Sequence, residues 1–135
     1  MAGYSGTPLA KKLGIAPGKT LLPIGAPKDY AKLLAPLPKD VLFLSKPPKN
    51  GADIVHLFAQ SLAELDKQLP RARKAMAVNG ALWVSWYKKA AKIPTDVTED
   101  EIRTRALSGD LVDVKVCAVS DVWSGLKLVI RKALR

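Results

Sequence analysis

The sequence predicts an α/β fold of three layers, in which helices cover both faces of a mostly parallel sheet of about six strands. Short apolar runs alternate with helical patterns along the chain, which is typical of parallel sheets that helices cover. The last two apolar runs, 111–119 and 123–132, are separated by a short loop, so we expect them to form an antiparallel pair. The 135 residues suffice for one domain spanning 1–135.

Two of the helices carry a capping box. Ser61 with Glu64 begins the helix of residues 61–77, and Thr98 with Glu101 begins the helix of residues 98–109. We expect Pro70 to kink the first of these helices or to split it in two.

Two shorter helices are predicted nearer the N-terminus. The segment 7–14 reads as a helix that Thr7 caps and Gly14 ends. The segment 27–38 gives about two turns before Pro36 and Pro38 end it.

Four strands precede the antiparallel pair. They are predicted at residues 20–26, 41–46, 52–60 and 81–87, and Asn79-Gly80 forms the turn into the fourth. The link 46–52 is too short for a crossover helix. Either this link runs extended across the sheet, or the second strand is an antiparallel edge strand. In the closing pair we expect four side chains to be buried: Val114, Val116, Leu126 and Leu128.

Charge and composition limit the classes of function. Lys and Arg total 22 against 12 Asp and Glu, a net charge of +10. Such a charge favours anionic partners, an anionic small molecule, an acidic protein or nucleic acid, although dispersed lysines also serve solubility alone. A single Cys and a single His give neither an internal disulfide nor a metal cluster. No apolar run has the length of a membrane span, and residues 1–14 lack the core of a signal peptide, so we expect a cytoplasmic protein.

Three stretches, "LGIAPGKTLLPIG", "ADIVHLF" and "AMAVNGALWVSW", together resemble the Rossmann-like methyltransferases that use S-adenosylmethionine. The resemblance implies a reduced Rossmann-like, methyltransferase-like sheet. The family's first motif has an acidic residue followed by glycines at alternate positions. Here Pro23 takes the acidic position, Gly25 keeps the first glycine, and Pro27 and Asp29 replace the next two. The second strand ends in Ser45 and Lys46 instead of the ribose-binding carboxylate. These departures predict a scaffold with no cofactor.

A second resemblance covers the chain from end to end. "MAGYSGTPLAKKLGI", "GALWVSWYKK", "PTDVTEDEIR", "LVDVKVCAV" and "DVWSGLKLV" are similar to a bacterial family known as domain of unknown function 3052. This resemblance implies a small bacterial cytoplasmic protein and supplies no reaction.

Ligands of open α/β sheets bind beyond the carboxyl ends of the strands. If the methyltransferase strand order holds, several loops meet there and form a basic aromatic rim that could stack a base and hold a phosphate. The candidate ligand-binding residues are Gly25, Lys28, His56, Ser85, Trp86, Lys88, Lys89, Asp121, Trp123 and Ser124.

Each candidate also has a structural interpretation. Trp86 and Trp123 could cover a sheet edge, His56 is more often a buried and satisfied side chain, and Ser124 fits a tight turn. Neither an acid–base pair nor an activated nucleophile accompanies His56 in the sequence, and Cys117 lies in an apolar strand.

The function that the sequence favours is therefore a non-catalytic binding domain for an anionic or nucleotide-like ligand. A divergent methyltransferase with a rearranged cofactor pocket is the first alternative. Nucleic-acid binding through a continuous basic face is the second. The sequence leaves the ligand and the oligomeric state open.

Overall fold

A computed structural model describes residues 7–135. Residues 1–6 lie outside the described residues. They belong to the N-terminal stretch and to the first of the five segments that resemble domain of unknown function 3052. The strands are β1 (Thr20–Ile24), β2 (Leu42–Phe43), β3 (Ala52–Phe58), β4 (Met76–Tyr87), β5 (Leu111–Ala118) and β6 (Trp123–Ile130). The α-helices are α1 (Leu9–Lys12), α2 (Tyr30–Leu34), α3 (Leu62–Ala75) and α4 (Glu99–Ser108).

The described strands form one six-stranded sheet in the order β2-β1-β3-β4-β6-β5. Strands β1 to β4 are parallel, whereas β6 is antiparallel to both of its neighbours, β4 and β5. This arrangement confirms the predicted fold class, including the antiparallel last pair.

Each face of the sheet has its own apolar core. On one face α3 and α4 pack through Leu65, Leu69 and Ile102, together with sheet residues of which Leu82 and Leu128 are two. On the opposite face α1 and α2 cover a second cluster, which includes the buried side chains Leu13, Leu34, Ile54, Phe58 and Trp83. The sheet is therefore the middle of three layers.

Strand β2 is parallel to β1, so the link between β2 and β3 crosses the sheet without a helix and the alternative of an antiparallel edge strand is wrong. The two strands lie on opposite sides of β1. Pro23 explains why β2 is short. The carbonyls of Lys19 and Leu21 accept hydrogen bonds from N–H groups of the β2 segment. Alternate residues of a strand direct their backbone groups to the same side, so the backbone of Pro23 also points toward β2. A proline has no N–H to offer there, and the pairing with β2 stops at Phe43.

Two of the three predicted hydroxyl caps form in the structure. Ser61 accepts from the Glu64 N–H at 3.1 Å, and Thr98 accepts from the Glu101 N–H at 3.2 Å. Helix α3 runs through Pro70 as one helix, so it is not split. At the start of α1 the N-cap is Pro8 and no side chain caps it, so the predicted role of Thr7 is wrong. The predicted two turns after residue 27 shrink to the five residues of α2.

Asn79 and Gly80 do not form the predicted turn, because they lie inside the continuous strand β4. The pairing with β3 steps from Ala52 opposite Met76 to Ile54 opposite Ala81, so the intervening residues of β4 bulge out. A Cβ atom at Gly80 would lie 2.8 Å from the Asp53 carbonyl oxygen. Glycine therefore allows the bulged chain to return to its partner strand.

The closing pair buries only half of the predicted side chains. Leu126 and Leu128 are fully buried, but Val114 is 52% exposed and Val116 is 46% exposed. Strand β5 is the edge of the sheet and its pairing is irregular between Asp113 and Lys115.

No helix within residues 7–135 has the length and apolar character that crossing a membrane requires.

Candidate functional site

The carboxyl ends of three parallel strands, β1, β3 and β4, meet at one edge of the sheet. Because β6 is antiparallel, its first residue lies at the same edge, where Trp123 pairs with Tyr87. The Lys88 N–H donates to the Val122 carbonyl at 2.7 Å, which joins the end of β4 to the β5–β6 turn. This edge is where ligands bind in open α/β sheets, and two clefts lie on it.

The first cleft, which we call the sheet-edge cleft, has a volume of about 340 Å³. It lies between the loop after β1, the end of β3 and the β5–β6 turn. Its lining residues are Gly25, Ala26, Pro27, Asp29, Gln60, Tyr87, Ile93, Ser120, Val122 and Trp123.

Gly25 shapes the wall that this cleft shares with β3. Its φ is +69°, in the region where side chains are strained. A Cβ atom at this position would lie 3.1 Å from the Phe58 carbonyl oxygen. The glycine therefore lets the loop after β1 turn directly over the end of β3, and leaves a side-chain-free wall beside the cleft.

An aromatic row forms the inner side of the sheet-edge cleft. The rings of Tyr87 and Trp123 stack with centroids 4.3 Å apart, and Phe58 meets Trp123 edge-on at 5.0 Å. The pairing of β4 with β6 causes the stack, since the two residues are directly opposite each other. The stack gives the cleft an electron-rich wall of the kind that attracts cations.

The second cleft, the lysine cleft, has a volume of about 530 Å³ and lies between the end of β4 and the start of α4. Trp86 lies at its base, and Lys88, Lys89 and Lys92 contribute three positive charges. Lys92 takes a left-handed backbone conformation with φ +56° after the short helical turn Lys89–Ala91.

The structure does not assemble the single rim that the sequence predicts. Trp86 packs in the core beneath α3 and α4, whereas Trp123 packs in the core of the opposite face. Adjacent residues of a strand point to opposite faces, and Trp123 pairs with Tyr87, not with Trp86. Lys28 is exposed beside the sheet-edge cleft but does not line it, so it does not share a cleft with Lys88 and Lys89.

Two further candidates, Asp121 and Ser124, lie outside both clefts. Asp121 is exposed in the β5–β6 turn, and Ser124 pairs with Trp86 in the β4–β6 ladder. The turn itself is held by Ser120, whose hydroxyl accepts from the N–H groups of Val122 and Trp123 at 3.1 Å. Ser120, a residue that the sequence analysis passed over, therefore orients the cleft's tryptophan.

His56 and Ser85 belong to a buried hydrogen-bonded chain, the Tyr30–His56–Ser85 relay. His56 Nδ1 lies 2.8 Å from Tyr30 Oη, and Nε2 lies 2.7 Å from Ser85 Oγ. Both His56 and Ser85 are fully buried, and neither lines a cleft. Tyr30 joins the relay because the first residue of α2 faces β3; its sequence context carries no signal for this role.

The relay holds His56 neutral. Burial lowers the pKa of His56 to about 3 and raises the pKa of Tyr30. Both ring nitrogens are occupied, so one donates and the other accepts. In this conformation His56 has no contact with solvent and therefore cannot exchange a proton with a ligand in either cleft.

Cys117 lines neither cleft. Burial raises the pKa of the half-buried Cys117 thiol, which disfavours the nucleophilic thiolate. In the described part of the chain, no group of three His, Cys, Asp or Glu side chains could hold a metal ion.

The fold is that of S-adenosylmethionine-dependent methyltransferases. A methyltransferase of this kind from Aquifex aeolicus superimposes with a TM-score of 0.64 and 15% identity, over 90% of this chain and 87% of that one. A putative type 11 methyltransferase from Sulfolobus solfataricus gives 0.58 and 18%, over 84% and 85%. The complex of DhpI with SAH gives 0.57 and 12%, over 91% and 82%.

Identities this low show the fold alone. No family model matches the chain, and no curated protein matches it. The resemblance to domain of unknown function 3052 therefore stays a prediction.

Proposed function

We propose that this chain is a divergent methyltransferase-fold protein that binds S-adenosylmethionine in the sheet-edge cleft. The observation that carries the proposal is Gly25, the one glycine retained from the family's first motif. It adopts a positive φ, and the 3.1 Å approach to the Phe58 carbonyl oxygen leaves no room for a side chain. It does so beside a cleft at the carboxyl ends of β1 and β3. The methyltransferase structures of similar fold support this alternative over a non-catalytic role.

The residues of the cleft suit the two cationic groups of the ligand's methionine part. Its sulfonium and ammonium groups are cationic, and the Tyr87–Trp123 stack and the Asp29 carboxylate offer an aromatic face and a negative charge. The Gln60 amide adds a donor and an acceptor. When bound, S-adenosylmethionine supplies an electrophilic methyl group; the role of these side chains is to orient it.

The ribose part is recognised differently from the family pattern. Strand β2 stops at Phe43, and Ser45 and Lys46 follow it without a carboxylate. We therefore propose a rearranged pocket in which the methionine end contributes most of the affinity.

Isothermal titration calorimetry with S-adenosylmethionine and S-adenosylhomocysteine tests the proposal. Asp29→Asn removes the negative charge that lines the cleft, so it should weaken S-adenosylmethionine, which carries the additional sulfonium charge, by about 2- to 5-fold and S-adenosylhomocysteine less, as for an exposed ion pair. Asp121→Asn is the matched control, because Asp121 is equally exposed but lines neither cleft. No saturable binding up to millimolar ligand would refute the proposal.

A second candidate function rests on the lysine cleft. Trp86 at its base and the three lysines around it suit an anionic, nucleotide-like ligand. ATP and inorganic phosphate are the probes, and the Lys88→Gln, Lys89→Gln double variant should weaken both. Asp29→Asn should leave the affinities for ATP and phosphate unchanged. This difference distinguishes binding in the lysine cleft from binding in the sheet-edge cleft.

A further inference from the structure

The charged residues of this chain are unevenly distributed along the sequence. Residues 7–51 contain eight lysines and only two acidic residues, Asp29 and Asp40, whereas eight of the twelve acidic residues lie between Glu64 and Asp113. The ion pairs found among residues 7–135 are made by arginines with carboxylates of that second segment, for example Arg73 with Asp110 at 2.7 Å. Three arginines thus pair with six of these carboxylates, and the excess positive charge of the chain is carried by lysine.

Part of this excess lines a groove at the amino-terminal end of β1, β3 and β4, opposite to both clefts. The groove consists of two hollows of about 170 and 710 Å³, which share Lys19, Asp53 and Asn79. Lys127 lines the smaller hollow, and Lys49 and Lys74 line the larger one. We call this surface the amino-end groove.

Neighbouring groups compensate the positive charge of the groove only in part, because four lysines and one carboxylate of residues 7–135 line it. Asp53 is the one carboxylate among the described residues that line it, and it accepts two hydrogen bonds on one oxygen from Thr20, at 2.9 and 3.1 Å. Lys115 lies directly opposite Lys127 on β5, an arrangement of like charges that destabilises a strand pair. Burial and the charge of Lys115 lower the pKa of Lys127. An anion in the groove would relieve this repulsion.

We propose that the amino-end groove binds the phosphate backbone of duplex nucleic acid. Lysines set around an open groove match a line of phosphates, and Lys19, Lys49 and Lys74 are all exposed. Among the described residues that line the groove none is aromatic, so stacking on unpaired bases, the main attraction of single strands, is not offered there. The contact is to the backbone, without base readout. The proposal is independent of a ligand in the sheet-edge cleft.

Fluorescence anisotropy with a labelled 20-base-pair DNA duplex tests this proposal, with the full chain titrated over a range of salt concentrations. The Lys49→Gln, Lys74→Gln double variant should lower the slope of log K against log salt by about 1.8, since each phosphate contact contributes about 0.9. At 0.1 M salt its affinity should fall by at least about tenfold. The Lys32→Gln, Lys67→Gln double variant removes the same charge from exposed positions that line neither the groove nor the two clefts, and it should retain most of the affinity.

Three results would overturn the proposal. The first is the absence of salt-dependent binding by the unaltered chain, and the second is an equal loss of affinity in the two double variants. The third is competition by poly-L-glutamate that matches unlabelled duplex at equal charge, because the groove would then recognise acidic polypeptides. Thermal unfolding of each variant, followed by circular dichroism, distinguishes a folding defect from a loss of binding.

Discussion

Trp123 stacks on Tyr87 with ring centroids 4.3 Å apart, across the antiparallel pairing of β6 with β4. The stack places Trp123, at the start of β6, on Tyr87, at the end of β4, although the two residues lie more than thirty positions apart in the chain. It forms one wall of the sheet-edge cleft, whereas Trp86 lies in the core on the other face of the sheet.

The stack predicts how two tryptophan substitutions will differ. Trp123→Phe retains an apolar ring but weakens the attraction for a cation, so S-adenosylmethionine affinity should fall by about 2- to 5-fold. Trp86→Phe should leave this affinity unchanged, because Trp86 does not line the sheet-edge cleft. Calorimetric titration of both variants measures the difference, and equal losses in the two would contradict the assignment of the cleft.

The buried relay predicts a specific loss of stability at mildly acidic pH. The folded-state pKa of His56, about 3, lies below the unfolded value of 6.5, so only the unfolded chain takes up a proton between these values. Stability is therefore fully present above pH 6.5 and falls as the pH drops toward 3. Between pH 7 and 5.5 this group should cost about 1 kcal/mol, measured by urea unfolding.

His56→Gln should remove this part of the pH dependence while leaving the contribution of the carboxylates. Parallel stability profiles for the two proteins would argue against a neutral, buried His56. If the variant does not fold, an NMR titration of the unaltered protein gives the same information, because the His56 ring should show no titration above pH 5.

Thr20 and Asp53 predict a stability effect at the amino ends of β1 and β3. The Asp53 N–H donates to Thr20 Oγ1 at 3.0 Å, and that hydroxyl donates in turn to the Asp53 carboxylate at 3.1 Å. Thr20→Val preserves the shape but leaves the N–H without its acceptor, at a cost of about 1–3 kcal/mol. Thr104→Val, on the exposed side of α4, is the control and should change the free energy of unfolding by less than about 0.5 kcal/mol. Similar values for both would show that the pair is dispensable.

The closing hairpin predicts unequal costs for two apolar truncations. Leu128 is fully buried under α3 and α4, so Leu128→Ala should destabilise the fold by about 2–5 kcal/mol. Val116 is 46% exposed on the edge strand, and Val116→Ala should cost less than about 1 kcal/mol. Denaturant unfolding of the two variants decides this, and a larger cost at Val116 would mean that the edge strand is covered in solution.

The sequence by itself determined the fold class and the chain order of its parts. Alternating apolar runs and the hydroxyl caps at Ser61 and Thr98 are local signals, and local signals survive in any arrangement of the elements. The retained Gly25 was readable for the same reason, since a positive φ is a local backbone requirement that glycine meets. The short link after β2 was also visible in the sequence. The direction of β2 was not, because a parallel and an antiparallel β2 both satisfied the same short link.

Only the tertiary structure decided which side chains share a cleft. Trp86 and Tyr87 are neighbours in sequence, yet the alternation of a strand sends them to opposite faces, and the register with β6 selects Tyr87 as the partner of Trp123. The burial of His56 likewise depends on Tyr30 and Ser85, which come from two other elements. The amino-end groove joins Lys19, Lys49, Lys74 and Lys127 from distant parts of the chain. Contacts of this kind arise from strand order and register, which no single segment encodes.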